Sequence, residues 1–221
     1  MCGRFAVTLP NDAMAQLFAA APANDLPDTP NYNVCPTNPV HVVTAPNGQR
    51  RLSVMRWGFI PHWYKSPTDG PLLINARAET IARKPAFATA CRERRCLIPA
   101  SGFYEWTKDD SGNRLPWFIR HADETPLAFA GIWQDWGQGE DRVTTCAIVT
   151  CAANPAMARI HHRMPVIVAQ QDWPLWLGEA GHGAATLMHA PPDDALTFWR
   201  VDQAVNSNRA SGPDLIEPIE D

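Results

Sequence analysis

The sequence predicts an α+β domain with an antiparallel, barrel-like sheet core flanked by short helices. Three observations lead to this expectation. Strand-type runs recur at close spacing along the chain. Prolines, 21 in all, punctuate those runs and keep every element short. The ordered strand–helix alternation that builds a doubly wound parallel sheet does not occur. With 221 residues, 45% of them hydrophobic, and nine tryptophans, the chain suits one domain spanning 1–221.

The elements follow in order. Asn11 and Asp12 stand where they would cap a helix over residues 11–20, with Met14, Leu17 and Phe18 on one face. Strands are expected at 40–45 and 52–57, and a short helix at 79–83. Further strands fall at 95–98, 117–121, 127–133 and 143–150. Residues 109–113 read as a hairpin turn and 138–141 as another loop. Helices are expected at 154–160, 172–177 and 193–199.

Composition narrows the function classes. A formal net charge of −4 argues against indiscriminate coating of nucleic acid. The kind of positive charge is more informative: of 19 basic residues only Lys65, Lys84 and Lys108 are lysines. Arginine's planar fork suits phosphate and stacks on bases. Arg4, Arg56, Arg77, Arg83 and Arg163 lie in or beside the segments singled out below, while acid gathers in the tail at 213–221. A local basic groove on an acidic protein fits this pattern, and so does the arginine bias of a GC-rich genome. No stretch approaches the ~20 apolar residues of a membrane span. No basic leader precedes an apolar run, so a cytoplasmic protein is expected. Cys91 and Cys96, like Cys146 and Cys151, are separated by four intervening residues rather than two, and their apolar neighbours read as core. Neither a metal nor a cofactor is expected.

Chemistry is concentrated in a few segments. In Met1-Cys2-Gly3, removal of Met1 would leave a cysteine with a free amine and a thiol on one residue. The amine, near ~7.7–8, is partly neutral at pH 7, and the thiol, near ~8.5, is open to lowering by a cation such as Arg4. An aldehyde meeting this pair forms a Schiff base that the thiolate closes to a thiazolidine. The same terminus is also the nucleophile of an N-terminal-nucleophile hydrolase. Asn75 and Arg77 follow an apolar run, and Glu105 sits between aromatics that should raise its pKa. His161, His162 and Arg163 precede an apolar strand, and aromatics interleave with Arg56 around Trp57 and Trp63 as in base-stacking surfaces.

These segments, with Tyr32-Asn33-Val34, Arg56-Trp57-Gly58, Asn75-Ala76-Arg77-Ala78-Glu79-Thr80, Gly102-Phe103-Tyr104-Glu105-Trp106 and His161-His162-Arg163-Met164-Pro165, resemble the SOS-response-associated peptidase (SRAP) family from end to end. The resemblance implies a single-domain α+β fold and covalent capture of abasic sites in single-stranded DNA. It implies Cys2 as nucleophile, Asn75 as the group that orients it, Glu105 as acid/base and His161 as the second catalytic group. Position 162 is histidine where the family usually has an acidic residue, and spacing to Arg163-Met164-Pro165 favours His161 as the active imidazole. Arg4, Asn33, Arg77 and Arg163 are expected to contact DNA, with Trp57 and Trp106 stacking on bases. The implied partner is single-stranded DNA with abasic sites, engaged by a monomer with a possible lyase side activity. An N-terminal-cysteine peptidase and a non-covalent single-stranded DNA-binding module are the alternatives.

Overall fold

The computed structural model describes residues 2–219. In chain order these form β1 (Phe5–Val7), α1 (Asn11–Leu17), β2 (Ala21–Pro22), β3 (Asn31–Val34), β4 (Pro39–Thr44), β5 (Arg51–Trp57), β6 (Asn75–Arg77), α2 (Ala88–Glu93), β7 (Arg95–Ala100), β8 (Gly102–Lys108), β9 (Arg114–His121), β10 (Leu127–Trp136), β11 (Val143–Ala152), α3 (Pro155–Ala158), β12 (Arg163–Pro165), α4 (Trp173–Leu177) and β13 (Leu196–Arg200).

Strands β4, β5, β11, β10 and β7 close into a barrel. Its seams are antiparallel except β5–β11, which is parallel and pairs Arg56 with Thr145 and Trp57 with Cys146. An odd number of strands cannot close with every neighbour antiparallel, so one parallel seam is required. The short strands β6 and β12 extend the barrel wall by pairing with β11.

A second sheet, in the order β13-β9-β8-β1-β3, lies against the barrel. Side chains alternate along β8. Phe103 and Glu105 face the barrel, whereas Tyr104 and Trp106 join an outer cluster with Phe118, Val205 and Leu215. The two sheets are locked by buried aromatics. Phe5 of β1 meets Trp57 edge-on at 5.0 Å and Phe129 at 5.8 Å, and Phe103 meets Phe129 at 5.9 Å. Each such ring contributes about 1.5–3 kcal/mol by burial, and each edge-to-face pair roughly 0.5–1.5 kcal/mol more.

Several local expectations are corrected. Helix α1 stops at Leu17, and its N-cap is Pro10 with no side-chain cap bond. Asn11 is engaged elsewhere: its amide donates to the Pro27 carbonyl and its Oδ1 lies 2.7 Å from His41 Nε2. Residues 78–83 are turns rather than a helix, with Pro85 following where helical geometry is disfavoured for the residue before it. The helix expected at 193–199 is instead β13, which pairs with β9 from Leu196↔His121 to Arg200↔Trp117. Alternating Leu196, Phe198 and Arg200 against a free sheet edge outweighs the helical reading. The helix expected at 154–160 is the shorter α3, capped by Asn154, whose Oδ1 accepts from the Met157 N–H at 2.9 Å.

Gly102 sits opposite Ala6 where β8 joins β1. A methyl group there would lie 2.6 Å from the Ile119 carbonyl oxygen and 2.3 Å from the Phe118 ring. Gly102→Ala is therefore expected to lower unfolding free energy by about 1–3 kcal/mol. Chemical denaturation checks this, and a change below about 0.5 kcal/mol would contradict the close approach.

Candidate active site

The site lies at the seam between the two sheets. β6 pairs in parallel with β11, placing Asn75 opposite Ile148 and Arg77 opposite Thr150. β1 pairs with β8 through Phe5↔Phe103 and Ala6↔Gly102, which carries the chain terminus toward Glu105. The two halves meet where Asn75 Nδ2 donates to the Cys2 carbonyl at 3.0 Å. Asn75 Oδ1 is buried with no hydrogen-bond partner among the described residues. Trp57 braces the junction, since its Nε1 donates to the Ile74 carbonyl at 3.0 Å and its ring abuts Phe5.

Electrostatics at this seam favour neutral groups. Cys2 is completely buried, and that burial, reinforced by the nearby Glu105 charge, pushes its thiol far above the ordinary cysteine range. The expected net lowering does not occur: Arg4 acts on the thiol only through its backbone hydrogen bond, which burial outweighs. Arg4 Nη1 donates instead to Asn33 Oδ1 at 2.7 Å and to the Val205 carbonyl at 2.8 Å. Glu105, 3% exposed, is raised chiefly by desolvation. His161 Nδ1 lies 3.9 Å from Glu105 Oε1 and 3.0 Å from both the backbone nitrogen and the carbonyl oxygen of Arg163. Burial lowers the His161 pKa, against the opposing pull of its backbone hydrogen bond to Arg163. The resting site thus pairs a protonated thiol and a carboxyl inclined to keep its proton with an imidazole inclined to be neutral.

Cys2, Asn75, Glu105 and His161 converge although they are scattered along the chain. The expected DNA contacts do not all do so. Trp57 is fully buried and offers no face to a base; it is a core brace. Trp106 lies on the face of β8 opposite Glu105, with Arg114 stacked 4.4 Å above its ring and its Nε1 bonded to Asn206. Asn33 is buried and clamps the C-terminal segment through the Ser207 and Ala210 carbonyls. Arg163, 8% exposed, spends its fork on both Glu79 oxygens and on the Thr150 carbonyl. Those contacts make Arg163 a brace under β12 rather than a free phosphate ligand. Arg77 remains exposed at the rim.

Trp63 and Leu72 are large apolar side chains left exposed, at 48% and 47%, on the loop leading to Asn75. A β-carbon at Gly58 would lie 2.7 Å from both Leu72 Cδ1 and Arg56 Nη1, and this residue's φ of +137° suits glycine. The sequence points to this aromatic segment through Trp57 rather than Trp63. The proline, glycine and charged neighbours of Trp63 were the available signal of a surface loop.

The family model for SOS response associated peptidase (SRAP) matches residues 1–208, and the chain belongs to this family. It is 34% identical to the abasic site processing protein YoqW of Bacillus subtilis, over 98% of this chain and 99% of that one. It is 30% identical to the abasic site processing protein YedK of Escherichia coli, over 99% and 100%. A crystal structure of a Bacteroides thetaiotaomicron protein shares the fold, with a TM-score of 0.86 at 23% identity over 99% of this chain and 100% of that one. No helix among the described residues is long and apolar enough to cross a membrane.

A carboxyl whose folded pKa is raised loses stability as pH climbs from its unfolded value through its folded one. Glu105→Gln mimics the protonated form, so its thermal stability relative to wild type is expected to be greater at pH 8 than at pH 4. Melting curves at the two pH values test this; a difference independent of pH would contradict the desolvated state of Glu105.

Proposed function

We propose that the chain captures abasic sites in single-stranded DNA, closing a thiazolidine on Cys2 after removal of Met1. One observation carries the reading. The buried Cys2, the Asn75 amide on its carbonyl, Glu105 and His161 share one seam. The abasic-site names of the YoqW and YedK relatives support it.

The groups suggest a proton-balanced route. An abasic deoxyribose opens when the C1′ hydroxyl loses a proton and the ring oxygen gains one, exchanges suited to neutral His161 and protonated Glu105. The Cys2 amine adds to the aldehyde carbon, and a proton moves from nitrogen to oxygen to give a carbinolamine. The proton that His161 took up returns to Glu105, which then protonates the departing hydroxyl; water leaves and an iminium remains. The Glu105 carboxylate then takes the thiol proton, and sulfur bonds to the iminium carbon. Glu105 is restored, and one water has been lost overall. A thiol held protonated until this late step fits amine-first attack better than the thiolate attack of a peptidase. β-Elimination of the 3′ phosphate from the imine is the corresponding lyase side reaction. In this reading Asn75 Oδ1 accepts from the freed amine, Arg77 meets a flanking phosphate, and Trp63 with Leu72 packs on neighbouring bases.

Purified protein lacking Met1, incubated with an abasic single-stranded oligonucleotide, is expected to give a heat-stable product whose mass equals protein plus DNA minus water. Cys2→Ser retains the amine but cannot close the ring, so it should leave at most a reversible imine. Glu105→Gln and Asn75→Ala are expected to slow crosslinking at least tenfold while undamaged DNA still binds. A heat-stable product from Cys2→Ser equal to wild type would exclude ring closure. In a separate comparison, Trp63→Ala should weaken binding to undamaged single strands by roughly tenfold. Unchanged affinity would remove this loop from the DNA surface.

A further inference from the structure

The row of side chains that contains Glu105 continues across the second sheet. Glu105 of β8 pairs with Trp117 of β9, and Trp117 pairs in turn with Arg200 of β13. Cross-strand partners project from one face and stand one strand spacing, about 5 Å, apart. An acid, an aromatic and a cation therefore run from the seam to the last strand of the sheet, leading away from β1 and Cys2.

The row opens into a patch of aromatics and arginines. Trp117 and Phe198 pack against the core but stay half-buried, and their rings meet edge-on at 6.1 Å. Arg200 lies over Trp117 with its Cζ 5.6 Å from the ring centre, and Arg159 lies over Phe198 at 5.5 Å. Arg159 ends α3 two residues before His161, so the same patch borders the site from that side as well. Among the described residues, the arginines in ion pairs are Arg50, Arg94, Arg120, Arg142 and Arg163. Arg159 and Arg200 are outside that set. Each gives only its Nε to a backbone carbonyl, of Ala156 and of Pro116, which leaves the outer guanidinium nitrogens to meet an anion.

We propose that Trp117, Arg200 and Arg159 form the subsite for the nucleotide next to the abasic sugar. Its base packs on the exposed part of Trp117 and Phe198, and its phosphate meets the two guanidinium groups. The proposal rests on the reading of the seam as an abasic-site centre and deepens it by giving the strand a path. Two features favour a nucleotide. Single-strand surfaces combine ring faces with cations that lack carboxylate partners. The patch is also continuous with Glu105: two strand spacings, about 10 Å, separate Glu105 from Arg200, a span that one nucleotide bridges.

Binding of an undamaged single-stranded oligonucleotide to the full-length protein across a salt series tests the subsite without any chemistry at Cys2. Each phosphate contact on a single strand adds about 0.7 to the slope of log affinity against log salt. Arg200→Gln and Arg159→Gln are each expected to lower that slope by about 0.7 and to weaken binding by roughly threefold to tenfold. Arg114→Gln removes a cation stacked on Trp106 across the sheet and is expected to leave the slope unchanged. In the captured abasic product, iodouracil placed beside the lesion is expected to photocrosslink to the peptide that contains Trp117. An unchanged slope in either Arg200→Gln or Arg159→Gln, or an equal loss in Arg114→Gln, would overturn the proposal. So would photocrosslinks from both neighbouring positions that avoid the Trp117 peptide. If the slopes fall as expected but wild type forms no heat-stable product with abasic DNA, the subsite stands and the abasic-site reading fails.

Discussion

The hydrogen bond from Asn75 to the Cys2 carbonyl ties the two sheets together at the point where the chain begins. A terminal segment has only one covalent neighbour to restrain it and ordinarily frays. Here β1 is paired on both sides, by β8 and by β3, and Phe5 anchors it among Trp57 and Phe129. Arg4 and Asn33 add a clasp on the outer face, holding the C-terminal segment over β1 and β3. The rest of the site depends on this anchoring, because under the proposed function Glu105 and His161 would act on a residue 2 that is held still.

The same burial that fixes the terminus determines its chemistry. Removing Cys2 and Glu105 from water favours the uncharged form of each, so the resting seam carries little charge. Such a site is costly to ionise and gains polarity only as reaction charge develops. An iminium formed beside a carboxyl that has just given up its proton would supply that charge in place. The Arg163–Glu79 pair keeps its own charges satisfied at the edge, where Glu79 reaches solvent.

How much was legible in the sequence depended on the kind of feature. Cys2 stands out by its place beside Met1, and Asn75, Glu105 and His161 because polar groups sit inside apolar stretches; the structure brings all four to one seam. The fold class followed from short strand-type runs, but β8 was missed as a strand although its hairpin turn was recognised. Gly102 and Glu105 disguise its alternation, and both make sense only beside β1 and the site. β13 was read as a helix because its pairing with β9 is a tertiary contact. The tryptophans were the least legible: Trp57 and Trp63 lie six positions apart in one segment, yet one is fully buried and the other 48% exposed. Arginines were ambiguous for a similar reason. Sequence cannot show that Arg163 already has Glu79, whereas Arg77 stands at the rim.

The central claim is that one residue supplies both the amine and the thiol that hold the DNA. Peptide mapping by mass spectrometry of the product formed with abasic single-stranded DNA tests it most directly. The account predicts a single adduct on the peptide beginning at Cys2, with neither its α-amine nor its thiol open to labelling. An adduct on a lysine or another cysteine, or a Cys2 adduct whose thiol still alkylates, would contradict it.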